Sequence, residues 1–316
     1  MKRVSSLINL NYAISHQLTG RGIGVAVMDT GIGEHPDLTG PSGCLAGFYD
    51  TINNRSSYYD DNGHGTHVTG IIAGNGGACN GLYRGIAPGV HIYMIKVLNK
   101  NGEGSTENVI RGIEWILKHK QKYNIRIVNI SVGSTKGKYF NENSPLVKNV
   151  NKLWTAGLVV LTAAGNHGPA PYSIGAPGNS RKIITVGASD AMLYLNNRDY
   201  SGRGPTDNCI KKPDIVAPGS NVTSCYPIEL TSRKNPYYYR KNNRIEYYNN
   251  APYLSRSGTS MATPVVSACI ALLLEKNPAM TNKDIKLHLR NTAFDLGYPH
   301  SRQGWGMIKC DRFLDI

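Results

Sequence analysis

Three short segments of the chain contain residue types that together can perform nucleophilic catalysis. Asp29 ends an apolar run and enters a glycine turn, and His64 stands between two glycines at the start of an amphipathic segment. Ser260 lies in a Gly-Thr-Ser sequence just before the apolar segment 265–274. A serine hydroxyl becomes a nucleophile when an imidazole accepts its proton and a carboxylate orients that imidazole. These segments therefore predict a Ser-His-Asp catalytic site.

Each segment taken alone has another interpretation. The Asp-Thr-Gly sequence at 29–31 also occurs in aspartic proteases, but a single-chain enzyme of that class needs two such loops and this chain has one. A homodimeric aspartic protease is not excluded by this count. His64 and His67 lack a His-Glu-x-x-His arrangement and an evident third ligand, so a zinc site is disfavoured and His67 is interpreted as structural.

The elements that must position these residues alternate between strand-like and helix-like segments, which predicts an α/β fold. We expect one domain, with a mostly parallel sheet and helices on both faces. The predicted strands are short and rich in β-branched residues, at 23–28, 91–98, 125–130, 158–161 and 182–186. The predicted helices follow Ser or Thr caps, at 105–117, 144–157 and 281–289. Ligands bind beyond the carboxyl ends of such strands, where Asp29, Asn166 and residues 131–133 fall.

The motifs, in the order Asp, His, Ser, resemble those of the subtilisin (subtilase) family, and the resemblance extends from about Gly22 to residues 303–306. The sequences Arg-Gly-Ile-Ala-Pro at 84–88 and Ala-Ala-Gly-Asn at 163–166 support it. Within the family, the chain looks most similar to intracellular AprX-like bacterial members. The resemblance implies a serine endopeptidase that forms an acyl-enzyme on Ser260, with His64 as general base and Asp29 as its orienting carboxylate. It also implies that the Asn166 amide and the Ser260 backbone N–H hold the oxyanion.

The resemblance further implies how a polypeptide substrate is bound. An extended peptide would add as a strand between two edges of the cleft, which favours unfolded chains or loops as substrates. The absence of an evident carboxylate predicts an apolar or mixed preference for the residue before the scissile bond, with His167 at the rim. The expected substrate-binding residues are small loop residues: Gly102, Gly104, Ser131, Val132, Gly133, Gly165 and Gly175.

No cofactor is expected for the chemistry. Calcium is compatible with the family resemblance, but residues 75–83 do not reproduce the acid- and amide-bearing calcium loop of the secreted relatives, so no calcium ligands are assigned. The family pattern divides the chain into an N-terminal extension, residues 1–20, and a catalytic domain, residues 21–316. Residues 1–15 are considered as a short segment that is clipped off or that blocks the cleft.

The composition excludes some classes of protein and leaves one alternative. A chain of 316 residues with 40% hydrophobic residues can bury a core, and no run approaches 18 apolar residues, so no membrane partner is expected. The formal net charge of +14 raises the alternative of nucleic-acid binding. Because Lys and Arg are spread along the chain and no nucleic-acid-binding motif occurs, solvated surface charge is the preferred interpretation.

The cysteines and the N-terminal sequence indicate the cellular compartment of the protein. The six cysteines, at 44, 79, 209, 225, 269 and 310, lie far apart without a Cys-x-x-Cys pair. The first 20 residues lack the apolar run and cleavage pattern of a secretory signal. We therefore expect reduced thiols and a cytoplasmic protein; a secreted protein is the alternative if a leader precedes this sequence.

Residues 226–253 are rich in Tyr and basic residues and show little helical or strand periodicity. The segment runs into the Ser260 motif, so we expect it to form a wall on the leaving-group side of the cleft. A solvated surface insertion is the alternative. The rival to an active enzyme is a pseudoprotease that keeps the subtilase shape as a regulatory scaffold. That class usually lacks a triad residue, whereas this chain has all three.

Overall fold

A parallel sheet of seven strands forms the centre of the protein. The computed structural model describes residues 1–131, 143–191, 199–231, 238–241, 244–247 and 252–316, with the backbone alone at 238–241 and 244–247. The strands run in the order β2-β3-β1-β4-β5-β6-β7 and every neighbouring pair is parallel. They are β1 Gly24–Asp29, β2 Leu45–Asp50, β3 His91–Lys96, β4 Ile125–Ile130, β5 Val159–Ala163, β6 Ile184–Ala188 and β7 Ile215–Ala217.

Helices cover both faces of the sheet, which confirms the predicted fold class. Helices α4, His64–Ala73, and α7, Thr259–Lys276, pack together against one face of the sheet. Helices α5, Thr106–His119, and α6, Pro145–Thr155, pack together against the other. The helices are α1 Lys2–Leu7, α2 Asn11–Ser15, α3 Pro36–Thr39, α4 His64–Ala73, α5 Thr106–His119, α6 Pro145–Thr155, α7 Thr259–Lys276, α8 Asn282–Thr292, α9 His300–Gln303 and α10 Cys310–Phe313. Short 3₁₀ turns span Gly77–Cys79 and Ile228–Leu230.

The predicted elements form where the sequence places them because local signals and burial agree. Strands β1, β5 and β6 are buried at every residue, as expected for continuous apolar runs covered on both faces. The Ser105 hydroxyl caps α5, and Thr281 caps α8 in a reciprocal box with Asp284. Helix α8 extends three residues beyond the predicted end, to Thr292.

Helix α7 is the central helix of the domain. Every residue from Val265 to Leu274 is buried, against β4, β5, β6 and α4. Among the described residues it is the one helix long and apolar enough to cross a membrane, and 83% of it is buried inside the domain. Its apolar character is therefore accounted for by the core.

The strand order reverses between β1 and β4, and this reversal positions the site. On one side of β1 the chain first forms the edge strand β2 and then β3, which lies between β2 and β1; on the other side, β4 through β7 follow one another outward in chain order. Connections leave the two adjacent strands toward opposite sides, which opens a crevice at their carboxyl ends. Asp29 ends β1 and Ser131 follows β4, so both lie at this crevice.

Residues 226–253, which show little periodicity in the sequence, contain or adjoin several short strands. Strand β11, Tyr253–Arg256, pairs antiparallel with β8, Val222–Cys225. Strands β9, Tyr238–Lys241, and β10, Arg244–Tyr247, pair as a hairpin. These pairs are joined by backbone hydrogen bonds and need no apolar alternation, so periodicity did not reveal them. Residues 232–237, 242–243 and 248–251 lie outside the described part, and the proposed wall stays a prediction.

The N-terminal residues pack on the body of the protein. Met1, Val4 and Ile8 are buried in the main core, and the Ile8 carbonyl accepts a hydrogen bond from the Cys310 N–H. The Arg3 guanidinium lies 2.7 Å from the Asp190 carboxylate. None of residues 1–15 lines the catalytic cavity described below, so the cleft-blocking prediction is not supported. The division of the chain at residue 20 stays a prediction.

All six cysteines are free thiols in the structure. Cys269 and Cys310 come nearest to each other, with their sulfur atoms 3.6 Å apart in the core. Burial raises the pKa of the Cys44 thiol to about 12, which keeps it protonated and unreactive at neutral pH.

We expect millimolar reductant to leave both the melting temperature and the peptidase activity unchanged, because there is no disulfide to reduce. The measurement is thermal unfolding, with and without reductant, of protein purified without it. A matched sample treated with a thiol-blocking reagent under denaturing conditions counts the free thiols. A fall in melting temperature on reduction would contradict the prediction.

Candidate active site

Asp29 and His64 form a short hydrogen bond at the end of β1. The distance from Asp29 Oδ1 to His64 Nδ1 is 2.7 Å, and the Asp29 side chain is completely buried. The Thr30 backbone N–H donates to the same oxygen at 2.7 Å, whereas Asp29 Oδ2 is buried without a hydrogen-bond partner among the described residues. The contact holds the imidazole in the orientation that directs Nε2 away from Asp29.

The glycines on either side of His64 permit close packing of its loop. Gly63 has φ +88°, and a Cβ there would lie 2.4 Å from the ring of Tyr226. A Cβ on Gly65 would lie 2.2 Å from the Gly31 carbonyl oxygen. These two glycines let the start of α4 lie directly on the Asp29 turn.

Asp60 connects the His64 loop to the Asp29 strand, a role that the sequence analysis missed. Its buried carboxylate accepts hydrogen bonds from Thr30 Oγ1 at 2.9 Å, Gly63 N at 2.8 Å and Thr66 Oγ1 at 2.7 Å. Thr30 Oγ1 in turn accepts from the backbone N–H at the second residue of α4. The network fixes the distance between the general base and its carboxylate. The donors at Gly63 and Thr66 are close to Asp60 in sequence, but Thr30, the donor that connects it to the Asp29 strand, lies 30 positions away, so no local signal showed the connection.

Lys96 supports the same loop from beneath and was also missed. This residue ends β3 beside Asp29, and its side chain is completely buried. Its Nζ lies 2.6 Å from Asp61 Oδ1 and donates to the Thr30 carbonyl, with the ring of Tyr59 4.7 Å away. A buried lysine at the end of an apolar strand was the available signal, since such a charge requires partners.

Ser260 lies in the first turn of α7, where helix N–H groups lack intrahelical acceptors. Its hydroxyl donates a hydrogen bond of 2.8 Å to the Ser131 carbonyl oxygen. Among the described residues, no hydrogen bond joins Ser260 Oγ to His64 Nε2. Rotation about the Ser260 Cα–Cβ bond is therefore required to bring the hydroxyl to the imidazole, and such looseness is common in sites without substrate.

The Asn166 side chain is held so that its amide nitrogen stays available. Its oxygen accepts hydrogen bonds from the Thr259 backbone N–H at 2.9 Å and from Thr259 Oγ1 at 3.0 Å. These two donors hold the amide oxygen against Thr259, which leaves Nδ2 as the end of the amide without a described hydrogen-bond partner. The Ser260 backbone N–H, at the positive end of that helix, has no described acceptor either. The two N–H groups form a candidate oxyanion site.

A cavity of about 380 Å³ adjoins these groups. It brings together most of the predicted site residues: His64, Gly102, Ser131, Gly165, Asn166, His167, Gly175 and Ser260. A Cβ on Gly165 would meet nothing closer than 3.9 Å, so this position leaves open space as predicted. Gly104 does not line the cavity, because it packs against the Val97 carbonyl. Val132 and Gly133 lie outside the described residues.

The cavity has two further features. Asn62 and Leu98 line it and were not predicted. Among its described lining residues there is no Asp, Glu, Lys or Arg, which agrees with the expected apolar or mixed preference.

The pKa values of the two histidines of α4 are shifted in opposite directions. Burial lowers the pKa of His64, but the charge and hydrogen bond of Asp29 outweigh burial, and the net pKa is raised above the ordinary value. Burial lowers the pKa of His67 to about 3, so it is neutral. His67 Nε2 lies 3.0 Å from the Val222 carbonyl and 2.9 Å from the Leu254 carbonyl, which ties α4 to strands β8 and β11. Its expected structural role agrees with this geometry.

One cluster of potential metal ligands occurs among the described residues. Ligand atoms of His35, Asp37 and Cys225 lie within 4.8 Å of one another, and all three residues are buried. Both nitrogens of His35 and both carboxylate oxygens of Asp37 already have hydrogen-bond partners. Burial lowers the pKa of His35 to about 4, which keeps it uncharged. The cluster is a satisfied internal network, and calcium ligands stay unassigned.

A buried Asp paired with His, and a Ser at a helix start, all at the carboxyl edge of a parallel sheet, form a candidate serine hydrolase site with the chain order Asp, His, Ser. The chain belongs to the subtilase family, whose family profile matches residues 20–306.

Three relatives illustrate the similarity. The chain is 41% identical over 287 residues to serine protease AprX of Bacillus subtilis, covering 87% of this chain and 62% of the relative. It is 36% identical to a thermostable alkaline protease of Halalkalibacterium halodurans, covering 97% of this chain and 72% of the relative. It is also 36% identical to subtilisin Savinase of Lederbergia lenta, covering 89% and 86%. The chain therefore spans less than two thirds of the length of AprX.

Proposed function

We propose that this protein is a serine endopeptidase. The observation that carries the proposal is the 2.7 Å contact between buried Asp29 and His64, in the same crevice as Ser260 and Asn166. The subtilase family and relatives named as serine proteases support this class of enzyme. Nothing in the comparisons supports the alternative of a catalytically inactive scaffold.

In the proposed mechanism, neutral His64 accepts the Ser260 proton as Oγ attacks the scissile carbonyl carbon. The tetrahedral oxyanion receives hydrogen bonds from Asn166 Nδ2 and the Ser260 backbone N–H. Asp29 stabilises the imidazolium, which then protonates the leaving amine, and an acyl-enzyme remains on Ser260. In the second half of the reaction, His64 accepts a proton from a water molecule as that water attacks the acyl carbon, and the acyl group is released from Ser260. Nucleophile, base and donors are all supplied by the chain, so the proposed chemistry requires no cofactor.

The proposed substrates are polypeptides bound in an extended conformation across the cavity. Ser131 is placed to pair with the substrate backbone, because its carbonyl already faces the cavity. We propose neither nucleic acid nor membrane as a partner. A cytoplasmic setting, suggested by the free cysteines, is part of the proposal.

A serine-directed fluorophosphonate probe tests the proposed function. We expect stoichiometric labelling of folded protein, located on Ser260 by mass spectrometry of the digested adduct. Protein denatured before exposure to the probe is the control, because labelling requires the assembled site. Folded protein that never labels would support the scaffold alternative.

The pH dependence follows from the His64 pKa. The base must be neutral, so kcat/KM rises with pH as His64 loses its proton, and activity is lost below that pKa. Because Asp29 raises the pKa above about 6.5, the midpoint of the acid limb is expected above that value. The measurement is kcat/KM for a neutral peptide substrate between pH 5 and about pH 9. An acid optimum with loss of activity above neutrality would contradict the mechanism.

Asn166→Ala is expected to lower kcat by about 10²–10³, the range found when an oxyanion-site amide is removed from subtilisin, a member of this family. KM should change little, because the amide acts on charge that develops in the transition state. Asn166 also accepts hydrogen bonds from Thr259, so melting temperature is measured in parallel. Asn149→Ala, on an exposed side of α6, is a matched control. A rise in KM with unchanged kcat would instead show that Asn166 contributes to binding of the substrate in the ground state.

A further inference from the structure

Arg256 lies beside the catalytic histidine but outside the cavity. It ends β11, just before the Ser260 motif. Its guanidinium carbon is 5.9 Å from the centre of the Tyr226 ring. That ring in turn covers Gly63, since a Cβ on Gly63 would lie 2.4 Å from it. Tyr226 and Arg256 thus form a surface next to His64, which we call the Tyr226–Arg256 surface.

This surface faces the part of the substrate that follows the scissile bond and is released first. The cavity beside Asn166 and Gly165 accommodates the acyl half, and neither Tyr226 nor Arg256 lines that cavity. The leaving amine takes its proton from His64, so the leaving peptide must pass over His64 on the side away from the cavity. Tyr226, which covers Gly63, and Arg256, whose charge acts on His64, lie next to His64 and outside the cavity.

Arg256 has no anionic partner among the described residues. Its Nε is buried and has no hydrogen-bond acceptor there, and no described carboxylate pairs with its guanidinium. The nearby acids are already engaged, Asp29 with His64 and Asp60 with Thr30 and Thr66. A partly buried guanidinium without a partner favours binding of a carboxylate, which accepts its N–H groups in a planar fork.

We propose that Arg256, packed on Tyr226, is a specificity-determining residue that binds an acidic side chain within the first two residues after the scissile bond. The proposal rests on the proposed endopeptidase function and names the substrate class that this site prefers. Tyr226 supplies an apolar floor for the aliphatic part of a glutamate side chain. The Arg256 guanidinium supplies the charge.

The test uses internally quenched peptides that differ only in the residues after the scissile bond, with Glu, Gln or Lys at those positions. We expect kcat/KM of the unmodified enzyme to be about two- to fivefold higher for Glu than for Gln, the size expected of one partly exposed charge pair. The ratio should fall as salt is added, and Lys should be the poorest of the three. This comparison requires no variant, so it does not depend on a variant folding correctly.

Variants then assign the preference to Arg256. In Arg256→Gln the Glu-to-Gln ratio should fall to about one, while Arg256→Lys should keep part of it because the charge remains. Arg21→Gln, which removes an exposed arginine far from the site, is the matched control and should keep the full ratio.

A pH profile adds a readout that a purely structural role would not change. His64 is faced by Asp29 and Asp60, which raise its pKa, and by Arg256, which lowers it, with neutral His67 one turn along α4. Removing the Arg256 charge should therefore move the acid limb of kcat/KM to higher pH.

Two outcomes overturn the proposal in distinguishable ways. Equal kcat/KM for Glu and Gln in an enzyme that labels fully with fluorophosphonate would reject the role of Arg256 and leave the endopeptidase function intact. No labelling and no cleavage of any peptide would reject the endopeptidase function, and the Arg256 proposal with it.

Discussion

Ser260→Ala is expected to lower kcat for peptide hydrolysis by about 10⁶-fold, the size of loss found when the nucleophile of subtilisin is removed. The change deletes the oxygen that forms the acyl-enzyme and disturbs little else. The only described hydrogen bond of that hydroxyl is the one to the Ser131 carbonyl, so the fold should be preserved. The measurement is kcat for a peptide amide substrate, together with fluorophosphonate labelling and a thermal unfolding curve.

Ser257→Ala is a matched control for this change. Its hydroxyl lies in the same loop but contacts Asn221 and does not line the cavity, so kcat should stay near that of the unmodified enzyme. His64→Ala should cost about as much as Ser260→Ala, and the double variant no more than either, because the two residues act as one unit. Additive losses, or peptidase activity retained in Ser260→Ala, would contradict the nucleophile assignment.

The sequence indicates where the main residues of the candidate site lie because each occurs in a short motif fixed by the local backbone. Asp29 must end a buried strand, His64 must begin a helix, and Ser260 must lie at the start of the buried helix α7. Each of these positions has a recognisable pattern in the few residues around it. A parallel sheet then brings the carboxyl ends of its strands to one edge, so the three motifs meet.

The supporting residues were not predictable in the same way. Asp60 accepts a hydrogen bond from Thr66, six positions away, and one from Thr30, which lies 30 positions away and connects it to the Asp29 strand. Lys96 finds its partners only after β3 pairs with β1. The contacts that connect Asp60 and Lys96 to the Asp29 strand are tertiary, so the local sequence around each residue does not indicate its role.

The missed strands have a related cause. Strand β2, Leu45–Asp50, lies at the sheet edge and is only partly buried, so it lacks the continuous apolar run of β1 or β5. Strand β7 has three residues, too few for a periodic signal. Both are held by backbone pairing to a neighbour that forms independently.

Asp29→Asn is expected to lower kcat by about 10⁴-fold, the loss known for the same change in another Ser-His-Asp protease. Asp29 Oδ1 accepts hydrogen bonds from both His64 Nδ1 and the Thr30 N–H, and Oδ2 is buried without a described partner. If the Asn oxygen takes the Oδ1 position, the NH₂ group is buried without an acceptor. If the amide flips, its NH₂ faces the Thr30 N–H and forces the proton of His64 onto Nε2, where the base is needed. In both orientations the imidazolium loses its compensating charge.

The pH profile distinguishes this electrostatic role from a structural one. The Asp29 carboxylate raises the pKa of His64 against the lowering effect of burial. In Asp29→Asn that increase is removed, so the acid limb of kcat/KM should move to lower pH while its plateau falls. Asp207→Asn, the same change at an exposed position, should alter neither the plateau nor the midpoint. An acid limb that stays in place despite a large loss of kcat would mean that Asp29 acts only by holding the loop. Asp60, through its hydrogen bonds to the start of α4, would then be the residue that orients His64.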